Sequence, residues 1–217
     1  ALWSSAKGRW FVHESGRRAG CELTYCGPRD LDAFERTDPH TRGCGVSLRH
    51  RSDDGSNMKT PRPPITPAIR VLRAARVTWQ DCPYDWVEGG GTAEFARQHS
   101  VEEHRVIKTL IMEDDSAVPM IVLMHGDLEV STRSLARELG VKHVTPCEPA
   151  IAERHSGYRV GGTSPFGTRR TMPIVCHITI AELPFLYING GKRGYILRLD
   201  TSDLLAVLEP RLVHIAQ

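Results

Sequence analysis

A lysine in the middle of an otherwise apolar strand is the first residue of this chain that calls for a chemical explanation. Lys108 lies within Val106-Ile-Lys-Thr-Leu-Ile-Met112. Two-residue alternation puts it on the face shared with Val106, Leu110 and Met112. If that face is inward, desolvation disfavours the ammonium unless a phosphate or a polar wall answers it. The other reading is an edge-strand lysine that snorkels to water. The second feature is the loop Gly161-Gly-Thr-Ser-Pro-Phe-Gly167. Its glycines allow backbone amides to approach a ligand and cradle an anion or a carbonyl oxygen. They serve equally as a tight connection between elements, and the loop is neither a P-loop nor a dinucleotide fingerprint. The third is Asn189-Gly-Gly-Lys-Arg-Gly194. Asn189-Gly190 predicts a type I′ hairpin turn. Lys192 and Arg193 add two cations beside flexible backbone, suited to a substrate phosphate. Tyr84, at the end of its own strand, can stack on a base or plug the core, and the core is the better reading.

Other chemistries find no support. There is no G-x-S-x-G nucleophile elbow. Cys82, Cys147 and Cys176 have no paired spacing, and the histidines from His99 onward form no H-E-x-x-H or similar pair. A catalytic metal is therefore not expected. Cys21-x4-Cys26 followed by His40-x3-Cys44 comes close to zinc-ligand spacing. Pro28, Pro39 and the weak helix and strand signals around them favour chance spacing over a zinc module that would bind nucleic acid.

The chain has 217 residues, with 28 basic and 26 acidic side chains and a net charge of +2. That balance excludes a polycationic nucleic-acid coat or membrane binder and an acidic tail. No apolar run reaches the ~18 residues of a membrane span, and Ala1 to Trp10 lack a signal-peptide core. Six cysteines are too few for a disulfide scaffold, so a reduced, cytoplasmic protein is expected. Every Ile and Met lies from Met58 onward, and the segment before it ends in the polar run Arg51 to Asn57. Residues 1–57 are accordingly expected to be a disordered leader or upstream translated sequence, because so little apolar surface cannot offset the entropy of ordering. The functional domain is expected over residues 58–217.

The elements that must position the three motifs are readable in outline. Thr66-Pro67 opens a helix, Val77 to Tyr84 is a strand, and Thr92 to His99 is a short helix. Ser100 to Glu103 matches a capping box. Val106 to Met112 and Val118 to His125 pair as a hairpin across Glu113 to Ser116. Ser131 to Leu139 is a helix stopped by Gly140, and another runs from Glu148-Pro149 to near Gly157. Met172 to Ile180, Phe185 to Ile188 and Gly194 to Leu199 are strands. Thr201 caps a last helix to Leu208. The fold class is α/β with a mixed sheet.

Taken together, these motifs resemble the YbaK/EbsC family of aminoacyl-tRNA editing proteins. Thr66-Pro-Ala-Ile69 with Leu72 is similar to the family's first helix, and Val106 to Leu110 to its lysine-bearing strand. Ser156-Gly-Tyr-Arg-Val-Gly-Gly-Thr-Ser-Pro-Phe-Gly167 is similar to its glycine-rich motif, and Gly190 to Gly194 to its Gly-Gly-Lys-Arg-Gly turn. The likeness runs from Thr66 to the C-terminus and includes nothing before Met58. It implies a curved or barrel-like mixed sheet flanked by helices, as in the editing domain of bacterial prolyl-tRNA synthetases. It implies trans-editing of mischarged Cys-tRNA(Pro), and of Cys-tRNA(Cys), with no cofactor and with the substrate's own thiol as nucleophile. The resemblance assigns Lys108, Gly161 and Gly162 to catalysis. Tyr84, Thr109, Thr163, Ser164, Asn189, Gly190, Lys192 and Arg193 are assigned to substrate binding. The implied partners are aminoacyl-tRNA and prolyl-tRNA synthetase, with no membrane and no DNA. Asn189 stands where such proteins often carry Ser, and Ile196 where some carry a polar or acidic residue. The rival expectations are an Ala-tRNA(Pro) or broader deacylase using an activated water, and a non-catalytic module that binds tRNA or synthetase.

Overall fold

The computed structural model describes residues 63–217. The expectations for residues 1–57, including Cys21, Cys26, His40 and Cys44, lie outside the described residues. Helix α1 (Pro67–Ala74) begins where the sequence predicts it. Thr66 Oγ1 accepts the Ile69 N–H at 3.2 Å and donates to Gly190 O at 2.5 Å, so one side chain caps the helix and ties it to a distant strand. β1 (Trp79–Pro83), α2 (Gly91–His99), β2 (Val106–Asp114) and β3 (Pro119–His125) follow. Then come α3 (Thr132–Leu139), β4 (Val144–Pro146), α4 (Pro149–Ser156), β5 (Ile174–His177), β6 (Phe185–Lys192), β7 (Tyr195–Asp200), α5 (Thr201–Leu208) and β8 (Arg211–Val213).

The strands form one mixed sheet in the order β1-β7-β6-β2-β3-β5-β8, with β4 beside β2. Alternation along β2 sorts the core into two layers. Ile107 and Ile111 pack with Ile69, Leu72, Leu186, Leu197 and Leu204 under α1 and α5. Met112 packs with Met124, Leu135 and Val213 under α3, and Val106 with Phe95 and Ile196 under α2. Helices thus cover both faces, as a sheet with apolar residues at both parities requires.

β2 is paired unequally along its two edges. On one edge β3 runs antiparallel from Ile107↔His125 to Glu113↔Pro119 without a break. On the other, β6 pairs in parallel at Val106 and Ile107 only, and β4 pairs antiparallel at Met112 to Asp114 only. The sheet therefore forks, and Lys108, Thr109 and Leu110 face the fork with no strand beside them. Backbone direction alternates along an antiparallel ladder, so Thr109 shares its edge with Ile111, whose carbonyl accepts Cys147 N–H at 3.0 Å across the fork.

Several local expectations are corrected. Asn189-Gly190 is not a turn: β6 continues through Lys192 with a register shift between Asn189 and Lys192. The Asn189 Oδ1 accepts both Gly191 N–H (2.8 Å) and Lys192 N–H (3.2 Å), which supports a bulge and moves the reversal to Gly194 at φ +76°. Ser100 does not open a capping box. It closes α2 in the left-handed region, and Glu103 instead accepts from Thr92 Oγ1 at 2.6 Å. Asp200, not Thr201, occupies the N-cap of α5. β5 stops at His177, after which Ile178–Glu182 forms a 3-10 turn that buries Ile180. The three-residue strands β4 and β8 are additions to the expected set.

Candidate functional site

A cleft of about 670 Å³ opens at the fork in the sheet. Its floor is the unpaired stretch of β2, and its rim is built by three loops stitched together. The Asn189 Nδ2 donates to Gly161 O at 3.3 Å, which joins the bulge of β6 to the glycine-rich loop. Arg193 Nε donates to Val160 O at 2.8 Å, and its guanidinium carbon lies 4.4 Å from the centre of the Trp86 ring. The turn after β6 is thereby fastened to the loop after β1 as well as to the glycine-rich loop.

Lys108 lies on the face shared with Val106 and Met112, as alternation predicts, and its side chain lines the cleft. Nζ donates to Gly126 O at 3.2 Å, its single acceptor among the described residues, so the ammonium keeps donors for a ligand. The neighbouring Thr109 also lines the cleft. Its Oγ1 is buried and has no hydrogen-bond partner among the described residues. An unpaired buried hydroxyl costs about 1–3 kcal/mol. Tyr84 packs on the core and also borders the cleft. Its ring meets Phe95 edge-on at 5.4 Å while it lines the cleft, and burial, with the Glu94 carboxylate, pushes its phenol pKa up.

The glycine-rich loop divides into cleft and support. Gly161 and Thr163 line the cleft. Gly162 is buried and its N–H is already given to Arg159 O at 2.8 Å. A Cβ on Gly162 would come within 2.8 Å of Arg193 N, so this position is glycine because the turn after β6 lies directly against it. Ser164 is fully buried, accepts Phe166 N–H at 3.4 Å and braces the loop from behind. Asn189 and Arg193 line the cleft; Gly190, packed under Tyr195, and the exposed Lys192 do not. Of the residues singled out in the sequence, Tyr84, Lys108, Thr109, Gly161, Thr163, Asn189 and Arg193 are brought to one cavity. Gly162, Ser164 and Gly190 shape it from outside, and Lys192 stands apart.

Trp86, Phe95, Thr92 and Cys147 line the cleft without having been anticipated, although the Gly89-Gly90-Gly91 run beside Trp86 is a legible loop signal. Burial, and after it the Glu113 carboxylate, pushes the Cys147 thiol up to about 11. It is a neutral thiol near pH 7 and a poor nucleophile. Among the described residues no histidine lines the cleft. Among the described residues no cluster of three His, Cys, Asp or Glu side chains could hold a metal ion, and no helix is long and apolar enough to cross a membrane.

A forked mixed sheet flanked by helices, its open edge carrying a lysine and facing a glycine-rich loop, defines a domain of α/β class. The fold is shared with two crystal structures. A hypothetical protein superposes with a TM-score of 0.65 at 20% identity, covering 70% of this chain and all of that one. A protein provisionally described as a trans-editing enzyme for prolyl-tRNA synthetase gives 0.61 at 16%, over 71% of this chain and 99% of that one. Residues 88–207 match the family described as the aminoacyl-tRNA editing domain, and the chain belongs to that family. Among its relatives, an Enterococcus faecalis protein provisionally named the Cys-tRNA(Pro)/Cys-tRNA(Cys) deacylase EbsC is 25% identical over 151 residues, 69% of this chain and 92% of that protein. A proline–tRNA ligase of Limosilactobacillus fermentum is 22% identical over 166 residues, 74% of this chain and 28% of the ligase.

Proposed function

We propose that the domain over residues 58–217 is a trans-editing deacylase that clears cysteine from Cys-tRNA(Pro), and from Cys-tRNA(Cys). The observation that carries this reading is a cleft with a lysine on an unpaired strand edge and no nucleophile–base pair in its lining. A site built for ester cleavage without its own nucleophile needs one from the substrate, and the cysteinyl thiol is a good one. The thiol sulfur attacks the ester carbonyl carbon. A C–S bond forms, the C–O bond to the ribose breaks, and the thiol proton ends on the departing ribose oxygen. Water then opens the strained thiolactone to free cysteine.

The chain's own groups have defined tasks in that sequence. Lys108 faces the negative charge developing on the carbonyl oxygen, or the adjoining phosphate. Thr109 offers its hydroxyl and, at the open edge of β2, its backbone N–H and C=O to the aminoacyl group. Gly161 and Thr163 close the opposite wall. Because Gly162 N–H is committed to Arg159 O, we assign Gly162 to shaping the loop rather than to holding the oxyanion directly. Editing of this kind answers a physical limit: a synthetic pocket sized for proline cannot strongly reject a similarly small amino acid. The likeness to a proline–tRNA ligase supports prolyl-tRNA synthetase as the source of the mischarged tRNA.

The same lining also suits a second reading, in which a water attacks the ester in place of the substrate thiol and hydrolyses Ala-tRNA(Pro). Deacylation of Cys-, Ala- and Ser-charged tRNA(Pro) separates the two. Substrate-thiol chemistry gives cysteine release much faster than the others, since alanine offers no nucleophile and serine a weaker one. Comparable rates on Ala-tRNA(Pro) overturn it in favour of the water mechanism, and no turnover of any of the three leaves a binding module.

A further inference from the structure

Behind α4 lies a second, shallow groove of about 320 Å³, lined by Arg154, Arg159 and Arg169 with Glu153, Gly157 and Tyr158. We propose that this groove takes the backbone phosphates of the tRNA acceptor strand while the aminoacylated end occupies the cleft, a reading that rests on the deacylase function proposed above.

The guanidinium groups are exposed, as is that of the adjacent Arg170. The ion pairs among the described residues are Arg97–Glu94, His104–Asp127 and Arg105–Glu102, so none of these four arginines has a carboxylate partner there. The one acidic side chain of the groove, Glu153, is turned to the backbone and accepts Val160 N–H at 3.0 Å. In a chain with 28 basic and 26 acidic residues, four such arginines side by side are a local departure from balance.

The backbone gathers them. Arg169 N–H donates to Ser156 O and Arg170 N–H to His155 O, both at 3.0 Å, which folds residues 169–170 back onto the end of α4. Gly157 at φ +78° makes this possible, because a Cβ there would stand 3.3 Å from Arg169 Cβ. The positive field is felt locally: burial first, then Arg170 and Arg154, holds the His155 pKa below its usual value.

Cleft and groove share a wall. Pro149 and Ala152 of α4 line the cleft, whereas Glu153 and Arg154 line the groove. Likewise Arg159 belongs to the groove, while Val160 and Gly161 belong to the cleft. A strand leaving the cleft over Val160 meets arginines one residue away. Planar guanidinium groups pair with phosphates through two hydrogen bonds and carry no sequence preference, as suits a protein that reads the charged end.

The test uses the full chain with Arg154→Gln, Arg159→Gln and Arg169→Gln combined, and Arg154→Gln alone in case the triple variant does not fold. Two substrates are compared: Cys-tRNA(Pro), and 3′-O-cysteinyladenosine, which carries no internucleotide phosphate for the groove to hold. For the tRNA, KM rises about tenfold or more and the slope of its logarithm against log salt flattens by about 2, while kcat is unchanged. For the cysteinyl nucleoside neither constant moves. An unchanged KM for the tRNA, or equal losses on both substrates, overturns the proposal. A loss seen only when prolyl-tRNA synthetase is added also overturns it, and gives the groove to an acidic face of that protein. If the wild type cleaves neither substrate, the deacylase reading fails by itself. Filter binding of uncharged tRNA(Pro) then decides the groove, and equal affinity of wild type and variants overturns it.

Discussion

The two edges of β2 are made from the same nine residues and do opposite things. Toward β3 the strand is paired without a break from Ile107 to Glu113, and every residue of β3 is buried. Toward the fork it is paired only at its ends, and Lys108, Thr109 and Leu110 are half-buried. The first edge has its hydrogen bonds satisfied and its side chains in two apolar layers. The second leaves a hydroxyl, an ammonium and a length of backbone without full partners, a state that costs stability unless a ligand completes it. Stability and recognition are thus divided across a single strand. The difference can be tested by perturbing each edge separately and asking whether the loss falls on folding or on activity.

The largest effect is expected on the closed edge. Leu123, fully buried in β3 and opposite Thr109, packs in the layer beneath α1 and α5. Leu123→Ala should lower unfolding free energy by about 2–5 kcal/mol, through lost apolar transfer and the cavity left behind. Denaturant titration measures this. Among molecules that remain folded, single-turnover deacylation should fall far less than in a Lys108 variant, and a greater fall would show that the edges are not independent.

Lys108→Ala at the open edge should do the reverse. Removing one positioned electrostatic group typically forfeits ~3–4 kcal/mol of transition-state stabilisation, so the rate on Cys-tRNA(Pro) should drop on the order of 100-fold or more. The midpoint of denaturation should hardly change, because the side chain leaves only the hydrogen bond to Gly126 O. Lys108→Arg should rescue poorly, since a planar fork does not replace a compact ammonium. A folded Lys108→Ala protein with near wild-type rate would remove the lysine from the site.

A smaller, graded effect comes from pH, and it falls on the closed edge. His125 ends β3, and His177 ends β5 in the same sheet. Burial is the leading cause that lowers both pKa values, and the neighbouring imidazoles add to it at His177. The unfolded chain takes up protons near pH 6.5, whereas these native imidazoles resist them to lower pH. The unfolded state therefore binds more protons in that window, and stability falls as pH drops below about 6.5. Thermal melts from pH 7.5 to 5.5 should show Tm declining on acidification, before most carboxylates titrate. A Tm that rises or stays level over that window contradicts the assignment of buried neutral imidazoles.

The closed edge was far more legible in the sequence than the open one, for reasons of range. The β2–β3 hairpin, the Thr66 cap and the Gly140 stop are each written within a few neighbouring residues. The fork depends on β4, three residues long, and on the parallel contact of β6 at two positions. Neither has a local pattern. At Asn189-Gly190 the local signal misled, because the Asn189 side chain satisfies two amides and sustains a bulge where a turn was expected. The site shows the same division. Lys108 was conspicuous as a charge in an apolar run, whereas Trp86 and Cys147 become part of the cleft only when distant loops meet over it.

The smallest expected change in stability sits at the centre of the comparison. Thr109 Oγ1 is buried without a partner among the described residues, so Thr109→Val removes a hydroxyl that forms no hydrogen bond to them and substitutes a methyl of similar size. Replacing an unsatisfied buried group by an apolar one of the same shape is neutral or favourable, so unfolding free energy should stay level or rise by up to about 1 kcal/mol. Val also suits a strand at least as well as Thr. If the hydroxyl is kept for the aminoacyl ester, the same variant should lose activity on Cys-tRNA(Pro) by roughly tenfold, the value of one hydrogen bond realised with substrate. A Thr109→Ser variant, which keeps the oxygen and sheds the methyl, should restore most of that rate at some cost in stability. Paired denaturation and single-turnover measurements on the two variants then give opposite orders for stability and for rate. Should Thr109→Val prove both stable and fully active, the hydroxyl has no part in the reaction, and the open edge of β2 acts through Lys108 and its backbone alone.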